Sequence, residues 1–359
     1  MKNILFSLIL LSSGFASAQV DSSKSTITFS GYAEVYYQYD FNEPSDHARP
    51  GFLYSHPRHN EFSLNLGFIK AAYSSDRLRS NLSLAAGNYM NVNYAAEPGV
   101  LKNIYEANAG FKLSKKKNLW VDGGIFASHI GFESAISKDC WTLTRSIPAE
   151  NTPYYESGAK ITYITDNNKW LLSGLILNGW QHIQRPDNNN TPAFGTQITF
   201  TPNSNITLNY STFIGNDKPD TDIRTRIFHD LYGIFHLTSK WHIATGIDYG
   251  FEQKTAGSSE YLQWYGPVML MKVDLNNQWS ITGRGEYYVD KDGVIISSGT
   301  PNGFQTSGAS LNLDYKIRDN AVWRVEGRAL NSKDKIFTDA NNKKSNTDVF
   351  VTTSLAIAF

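Results

Sequence analysis

The residues most able to take part in chemistry are charged side chains that alternate with apolar ones. In the segment 279–289, Arg284 and Glu286 share one face, while Trp279 and Ile281 share the other. This alternation is typical of a half-buried β-strand, because successive side chains point to opposite faces of a sheet. The charged residues that follow the pattern, and that we expect to line one shared face, are Glu34, Glu106, Asp122, Lys160, Asp248, Arg284, Glu286, Asp314, Lys316, Arg324, Glu326 and Arg328.

Charges of both signs on one face could act in two ways. If the face lines a water-filled space, opposed acidic and basic walls create a transverse field that orients dipolar solutes and tunes ion preference. Alternatively, the charges pair into interior salt-bridge ladders that brace or plug the space. Basic residues gather towards the last strands, as Arg324 and Arg328 illustrate. The two interpretations are compatible.

Two groups of residues have some resemblance to metal sites. His56 and His59, with His47 nearby, could suggest a metal ion, but there is no third ligand and Pro57 breaks any helix that would align the pair. A solvated loop is the favoured interpretation. A second group could bind calcium weakly but lacks the glycine and glutamate spacing of a dedicated calcium loop, so no metal site is predicted. This second group is Asp217, Asp220 and Asp222.

Catalytic chemistry has little support in the sequence. Cys140 has no obvious basic partner beyond Arg145, which favours an inert thiol over a nucleophile. His129 is the histidine best placed for a catalytic group at the rim of an enzymatic barrel, but no partner can be named for it. We therefore predict no catalytic residue, no enzyme and no cofactor.

The composition restricts the class of protein further. The chain of 359 residues has 33 Lys and Arg against 33 Asp and Glu, whereas a nucleic-acid binder needs a basic surface. Its single cysteine excludes an internal disulfide framework and any multi-cysteine metal site. The 20 Tyr, 20 Phe and 8 Trp favour strands over helices.

The first residues have the three parts of a secretory signal peptide. Lys2 supplies the charge, residues 4–11 the apolar stretch, and residues 16–18 a small-residue cleavage site. We predict that residues 1–18 are the signal and that 19–359 form one exported domain. The alternative, a membrane-anchoring or core helix, is disfavoured, because the apolar part is too short to span a bilayer and no later segment approaches the required length.

From residue 27 onward the chain alternates between stretches with period-two hydrophobicity and polar turns. This pattern predicts an all-β protein with about sixteen strands. The predicted strands are residues 27–37, 61–73, 78–88, 104–113, 119–131, 154–165, 170–178, 193–201, 206–214, 227–237, 241–253, 261–275, 279–289, 304–317, 321–330 and 348–359.

The connections between these strands differ in length by parity. Links after even-numbered strands are short, such as 166–169 and 276–278, whereas those after odd-numbered strands are usually long, such as 40–60 and 331–347. Soluble sandwiches have no reason to sort their loops this way, but membrane barrels do. Arg or Lys facing lipid at the midplane would cost about 2–4 kcal/mol, so the polar face must point inward. The sequence thus predicts a transmembrane antiparallel up-and-down β-barrel.

Aromatic residues near the strand ends support a membrane location. Barrels place rings of aromatics at both interfaces, and Trp180 and Trp264 would belong to the ring at the ends opposite the short turns. The alternative is that these rings fill a soluble β core. The interface aromatics predicted for the short-turn side and the C-terminus are Trp170, Trp241, Trp279, Trp323 and Phe359.

One long connection, residues 132–153, is unusually apolar for a solvated loop. It contains Trp141, Arg145 and two prolines. Our hypothesis is that it folds into the barrel and narrows it, with Trp141 and Arg145 in the constriction.

The signal peptide, residues 28–32 (TFSGY), residues 62–65 (FSLN) and the alternating C-terminus 354–359 together resemble the OmpL-like β-barrel porin family, of the porin-2 type. The resemblance spans nearly the whole mature chain. It implies an outer-membrane barrel with a pore and supplies no catalytic residues. Phe359 resembles the C-terminal aromatic that the barrel assembly machinery recognises.

These observations predict an outer-membrane porin of a Gram-negative cell envelope, with a water-filled channel for passive diffusion of small hydrophilic solutes. Sixteen strands lie in the range where a barrel leaves an aqueous channel. The alternative is an occluded structural or ligand-binding barrel whose outer loops recognise a ligand. Expected partners are outer-membrane lipid, the solutes and the assembly machinery, with association into a homotrimer left open and no nucleic acid.

Overall fold

The computed structural model describes residues 25–359, so the predicted signal peptide, residues 1–18, lies outside the described residues. The described chain closes into an antiparallel barrel of sixteen strands, which confirms the predicted fold class. A small hairpin formed by Phe337–Thr338 and Lys344–Ser345 is separate from the barrel wall. The strands are β1 Thr26–Asp40, β2 Phe62–Ser74, β3 Leu78–Ala86, β4 Ile104–Lys112, β5 Asn118–Ala127, β6 Tyr155–Ile164, β7 Trp170–Leu177, β8 Ala193–Asn203, β9 Ile206–Gly215, β10 Arg226–His236, β11 Trp241–Gln253, β12 Tyr261–Asp274, β13 Trp279–Asp290, β14 Phe304–Arg318, β15 Ala321–Ser332, β16 Phe337–Thr338, β17 Lys344–Ser345 and β18 Thr347–Ala358.

Short helical segments interrupt the long loops. In the part of the chain that the structure describes, α1 spans Asn88–Asn93 and α2 spans Ile147–Glu150, and single 3-10 turns lie at Gly99–Asn103, Ser137–Asp139 and Asp220–Asp222. Within those same residues, no helix combines the length and the apolar character needed to cross a membrane.

The barrel closes where the first and last wall strands pair. β1 and β18 are antiparallel neighbours, with Tyr32 opposite Ala358 and Asp40 opposite Phe350. The C-terminal residue continues the ladder, since Gly31 N donates to Phe359 O at 2.6 Å and Phe359 N donates to Gly31 O at 2.9 Å. Closure leaves the wall without a free edge that could pair with another chain.

The alternation in the sequence corresponds to inward and outward faces. On β15, Arg324, Glu326 and Arg328 are buried inside the barrel. Trp323, which precedes them and lies nearer the short turn, is exposed on the outside. Trp170, Trp241 and Trp279 open their strands, and Phe359 is 72% exposed. The outer surface therefore carries an apolar belt with aromatic residues where the short turns join the strands.

The connections separate into two ends of the barrel. The turn after β10 is tight: Leu237 N donates to Trp241 O at 2.9 Å, and Thr238 Oγ1 accepts from Trp241 N at 3.0 Å. A hydroxyl that mimics a backbone acceptor in this way is typical of short turns. We call this the short-turn end, and the opposite end, where residues 41–61 and 333–346 lie, the long-loop end.

Lys70, which is in phase with Phe68, points into the barrel together with it. A register shift between Glu34 and Val35, opposite Leu64 and Leu66, marks a bulge that precedes both residues on β2. Phe68 stacks between Tyr32 and a second tyrosine, so this part of the interior is an aromatic patch. An extra residue in one strand changes which side chains face inward, so Phe68 and Lys70 share the inner face although Phe62 and Leu64 are exposed.

The prediction that Trp180 and Trp264 belong to an aromatic ring at the membrane interface of the long-loop end is wrong. Trp264 is fully buried and lies inside the barrel, where its ring stands so close to Gly250 that a Cβ there would lie 2.1 Å from it. Trp180 packs edge-on against Phe213 and Phe228, with ring centroids 5.0 and 4.9 Å away. Both indoles pack against interior side chains rather than lipid, because the long loops fold inward and form an apolar cluster there.

Candidate functional site

The connection between β5 and β6, residues 128–153, turns into the barrel instead of extending away from it. Pairing between β5 and β6 ends at Ala127, four residues before the predicted strand end. Ser128 Oγ then accepts from Ile130 N at 3.2 Å, and Gly131 adopts a φ of +81°, which starts the inward path. We call residues 128–153 the lumen loop.

The lumen loop descends to the short-turn end. Its residue Lys138 lines a cavity of about 180 Å³ together with Asn276, Gln278 and Trp279, which belong to a short turn and the start of the strand after it. The loop enters from the long-loop end, so its backbone runs through the length of the interior. It then returns to β6 through α2, which Ser146 caps by accepting from Ala149 N.

One wall of the barrel, β1, holds the loop through Ser137. Ser137 Oγ donates to Glu34 and lies 3.1 Å from the Tyr32 hydroxyl. Glu34, which the sequence placed on the inner face, is fully buried. Its carboxylate also accepts from Asn65 Nδ2 at 2.9 Å and lies 3.2 Å from His56 Nε2. These contacts fix the first half of the loop against β1.

Arg324 holds the same turn from β15. Its Nε donates to Asp314 Oδ1 at 2.7 Å, which fixes the plane of the guanidinium. Its Nη2 donates to Cys140 O at 2.9 Å, and its Nη1 donates to Ser137 O. The loop turn is therefore bound by β1 through a side chain and by β15 through two main-chain carbonyls.

A second arginine, Arg284 on β13, binds the middle of the loop. Its Nη1 donates to Thr144 O at 2.6 Å, and its Nη2 donates to Glu326 Oε1 at 2.8 Å. Glu326 in turn accepts from Thr144 N through Oε2 at 2.6 Å. Both main-chain polar groups of Thr144 are thus satisfied by a buried ion pair in the wall.

The next residues along the loop repeat this arrangement. Arg328 Nη1 donates to Arg145 O at 2.8 Å, and Glu286 Oε2 accepts from Ile147 N at 2.6 Å. Arg328 and Glu286 form an ion pair with each other. The interior charges of β13–β15 therefore pair across strands and also bind the backbone of the lumen loop.

The two residues predicted for the constriction have different surroundings. Arg145 is fully buried and donates to carbonyls of its own loop: Nε to Ser134 O at 2.8 Å and Nη1 to Leu143 O at 2.7 Å. It joins the descending and ascending limbs of the loop. Trp141 packs near the short-turn end against His236 and His242, with ring centroids 6.3 and 6.1 Å away.

The remaining inward charges lie on the other side of the barrel or at its rim. Glu106 pairs with Lys70, Asp122 accepts from Arg79 Nε at 2.6 Å, and Lys160 Nζ lies 4.5 Å above the ring of Phe126. These form a separate cluster on β2–β6, away from the arginines that hold the loop.

Two charges remain outside both clusters. Asp248 is buried opposite Asp230 on the neighbouring strand. Lys316 is exposed near the short-turn end, where it pairs with Asp319 at 2.6 Å. The structure therefore divides the predicted set between the loop anchors, the second cluster and these two positions.

The histidines of the first long loop are not in a solvated loop, contrary to the prediction. His56 is fully buried and His59 is 4% exposed, and only His47 of the three is exposed. The loop folds over the opening of the barrel, where His56 meets Glu34, and His59 Nδ1 accepts from Asp40 N at 2.9 Å. The polar sequence around these histidines predicted a solvated loop, because the residues that bury His56 and His59 are distant in the sequence.

The sequence did not single out several residues that hold the loop. These residues are Ser137, Asn312 and Glu133. Each binds main-chain or side-chain groups inside the barrel; for example, Ser146 N donates to Glu133 Oε2 at 3.1 Å. Burial raises the pKa of Glu133 above its ordinary value. Asn312 alternates in step with the inward charges of β14. This alternation was the one feature of the sequence that could have placed Asn312 on the inner face.

His129 and the aspartates considered as a weak calcium site each contact other residues of the protein. His129 Nε2 lies 2.9 Å from Thr212 O, and burial lowers the pKa of His129 to about 4. Asp217 pairs with Arg226 at 2.6 Å, and Asp222 with Arg224 at 2.6 Å. Among residues 25–359, no group of three or more His, Cys, Asp or Glu side chains is arranged to hold a metal ion.

The rate at which the Cys140 thiol is alkylated measures whether the lumen loop stays bound to the wall. Burial raises the pKa of its thiol to about 11. A raised pKa keeps the thiol protonated at pH 8, so alkylation by iodoacetamide is expected to be roughly a hundredfold slower than for a thiol of ordinary pKa. The rate should rise as the pH approaches 11. Mass spectrometry of the folded barrel and of the urea-unfolded chain measures both rates, and equal rates would show that the thiol is accessible.

Comparison with solved structures shows the same fold. An anion-selective porin from Comamonas acidovorans superposes with a TM-score of 0.63 at 8% identity, covering 94% of this chain and 100% of that one. The outer membrane channel DcaP of Acinetobacter baumannii gives 0.59 at 9%, covering 94% and 98%. The trimer form of in-vitro folded OmpT, an outer membrane protein of Vibrio cholerae, gives 0.59 at 9%, covering 94% and 100%.

Comparison with curated proteins gives no significant match. The family model described as "Putative beta-barrel porin-2, OmpL-like" matches residues 26–359. That span includes every strand of the barrel and the lumen loop. The chain is therefore an outer-membrane porin and belongs to the putative beta-barrel porin-2, OmpL-like family.

Proposed function

We propose that small hydrophilic solutes diffuse passively through this barrel and that the lumen loop sets the width of their path. The observation that carries the proposal is the attachment of one loop to several strands of the wall inside the barrel. Ser137 binds Glu34 on β1, while Thr144 is bound from β13 and β15 by Arg284 and Glu326. A backbone held at several points inside the barrel reduces the cross-section and does not move aside freely.

The interior chemistry supports a hydrophilic solute. Charged side chains of both signs face inward on β1, on β4–β6 and on β13–β15. A path beside such groups suits polar solutes, whose passage requires a wet route and no cofactor. We also propose that the cluster of Lys70, Glu106, Arg79 and Asp122 contributes to ion preference, since all of its side chains except that of Asp122 are partly exposed.

Planar-bilayer recording of the purified mature chain tests the function. We expect stepwise current increases on insertion and a reversal potential under a salt gradient that reports ion preference. Liposome swelling with sugars of increasing size should show a sharp upper limit, because the loop limits the path. Barrels that insert and remain folded but give neither current nor swelling would contradict the proposal.

We propose further that barrels associate as homotrimers, and that lipid and the assembly machinery contact the outer surface. Support for a trimer comes from the trimer form of OmpT, whose barrel has the same fold. The exposed ring of Phe359 supports contact with the assembly machinery. Chemical cross-linking in intact outer membranes measures the oligomer, and a monomer at all cross-linker concentrations would contradict the trimer.

A further inference from the structure

Away from the two mouths of the barrel, water reaches the interior charges on one part of the wall. The lumen loop is bound to β1, β13 and β15, which form a continuous part of the ring with β14 and β18 between them. There the side chains of Arg284, Glu326 and Arg328 are 0% exposed. On β2 and β3, by contrast, the side chains of Lys70 and Arg79 are 28% and 37% exposed. A passing solute therefore meets the charges of β2–β6.

The two carboxylates of this part of the wall, Asp122 and Glu106, are engaged by protein donors. One oxygen of Asp122 accepts from Arg79 Nε at 2.6 Å, and the other accepts from Arg79 Nη2. Glu106 Oε1 accepts from Asn108 Nδ2 at 3.1 Å, and Glu106 Oε2 accepts from Lys70 Nζ. The carboxylate side chains are also less exposed than their cationic partners, at 7% and 18%. They therefore have little capacity left to attract a passing cation.

The cations of the same part of the wall keep N–H donors that no protein acceptor uses. Lys70 has three donors and binds only Glu106 among residues 25–359. Arg79 binds Asp122 through Nε and Nη2, and its Nη1 has no acceptor in the part of the chain that the structure describes. Because both side chains are partly exposed, these donors are open to water and to solutes that can accept a hydrogen bond.

Lys160 on β6 carries a positive charge without a carboxylate partner. It stands directly opposite Asp122 on β5, but Arg79 occupies that carboxylate, and Lys160 forms no ion pair with any residue that the structure describes. Its Nζ lies 4.5 Å from the ring centroid of Phe126, which holds the ammonium group near the wall without neutralising it. The Lys160 side chain is half-buried, whereas Glu156, the other inward charge of β6, is fully buried and does not face the path.

We propose that the path through the barrel prefers small anions, such as chloride and short carboxylates, to cations, and that Lys160 is the residue that sets this preference. The inference rests on the proposed function and names its class of solute. Lys70, Arg79 and Lys160 outnumber the two carboxylates beside them, and the open donors all belong to the cations. An anion passing this wall gains charge-assisted hydrogen bonds, whereas a cation meets carboxylates that are already occupied.

Planar-bilayer recording of the purified barrel under a KCl gradient tests the preference. We expect the reversal potential to give a chloride-to-potassium permeability ratio above one. Lys160→Met should lower this ratio roughly two- to fivefold, because one charge beside a narrow aqueous path has an effect of this order. Glu106→Gln should raise the ratio, since it removes a carboxylate and frees the ammonium group of Lys70. Heat-dependent mobility in gels checks that each variant is folded.

Lys254→Gln is the matched control. It also removes one positive charge, but Lys254 is exposed in the loop between β11 and β12, where it pairs with Glu260 at 2.8 Å, so the ratio should be unchanged. Lys160→Arg keeps the charge and should keep the preference.

A permeability ratio of one or below in the wild type would overturn the inference, as would an unchanged ratio in a folded Lys160→Met. If that variant fails to fold, an unchanged ratio in Glu106→Gln has the same consequence. Folded barrels that give no current contradict the proposed function itself, and this inference with it. A channel that conducts without preferring anions overturns this inference alone.

Discussion

Deleting residues 137–145 is expected to raise the single-channel conductance several-fold. This segment holds the contacts that join the lumen loop to Glu34 on β1, to Arg324 on β15 and to Arg284 on β13. Its removal takes backbone out of the interior along the part that lies nearest the short-turn end. Conductance scales with the open cross-section, so planar-bilayer recording of wild type and deletion measures the effect directly.

The matched control is deletion of residues 255–257, which are exposed in the short loop between β11 and β12. This deletion should leave conductance unchanged, because that loop lies outside the interior. Both variants must first show heat-dependent mobility typical of a closed barrel. A folded 137–145 deletion with wild-type conductance would remove the lumen loop from the account of pore size.

Replacing Arg284 by Met is expected to destabilise the barrel strongly and to loosen the lumen loop. Arg284 is fully buried, pairs with Glu326 at 2.8 Å and lies 3.8 Å from Glu133. Without it, these carboxylates remain buried with fewer partners, and Thr144 O loses its donor. Breaking a buried pair by removing one partner costs about 3–5 kcal/mol. Equilibrium unfolding by guanidinium chloride in detergent measures the free energy of unfolding.

A second substitution separates charge from packing. In the Arg284→Met background, Glu326→Gln should recover part of the lost stability, since it removes a carboxylate that has lost its partner. Lys316→Met is the matched control: its ammonium group is exposed and its pair with Asp319 should contribute little. Cys140 alkylation should also become faster in Arg284→Met. A loss of stability no greater than that of Lys316→Met would show that the ion pair does not hold the structure.

The strand pattern determined the barrel. For β11 the sequence placed both ends, Trp241 and Gln253, where the structure has them. Period-two alternation and turn residues are local properties, so they do not depend on which distant segments meet. The same argument placed Arg324, Glu326 and Arg328 on the inner face, because lipid penalises charge on the outer one.

The pattern was less informative where loops fill the interior. On β12 the inner residues Trp264, Val268 and Leu270 are as apolar as the outer Met269 and Met271. Val268 and Leu270 belong to an apolar cluster that packs against Phe132 and Trp141 of the lumen loop. Because both faces of the strand are apolar, hydrophobicity does not distinguish them, and Trp264 was placed at the wrong surface.

By itself, the sequence determined a closed, outward-apolar barrel with short turns at one end, together with a candidate inward loop. Only the tertiary structure decided how that loop is held: which carbonyls Arg284, Arg324 and Arg328 bind, and that His56 is buried beside Glu34. Thr144 and Glu326 are 182 positions apart. Contacts between such residues depend on the three-dimensional path of the chain, and neither residue carries a local signal of its partner.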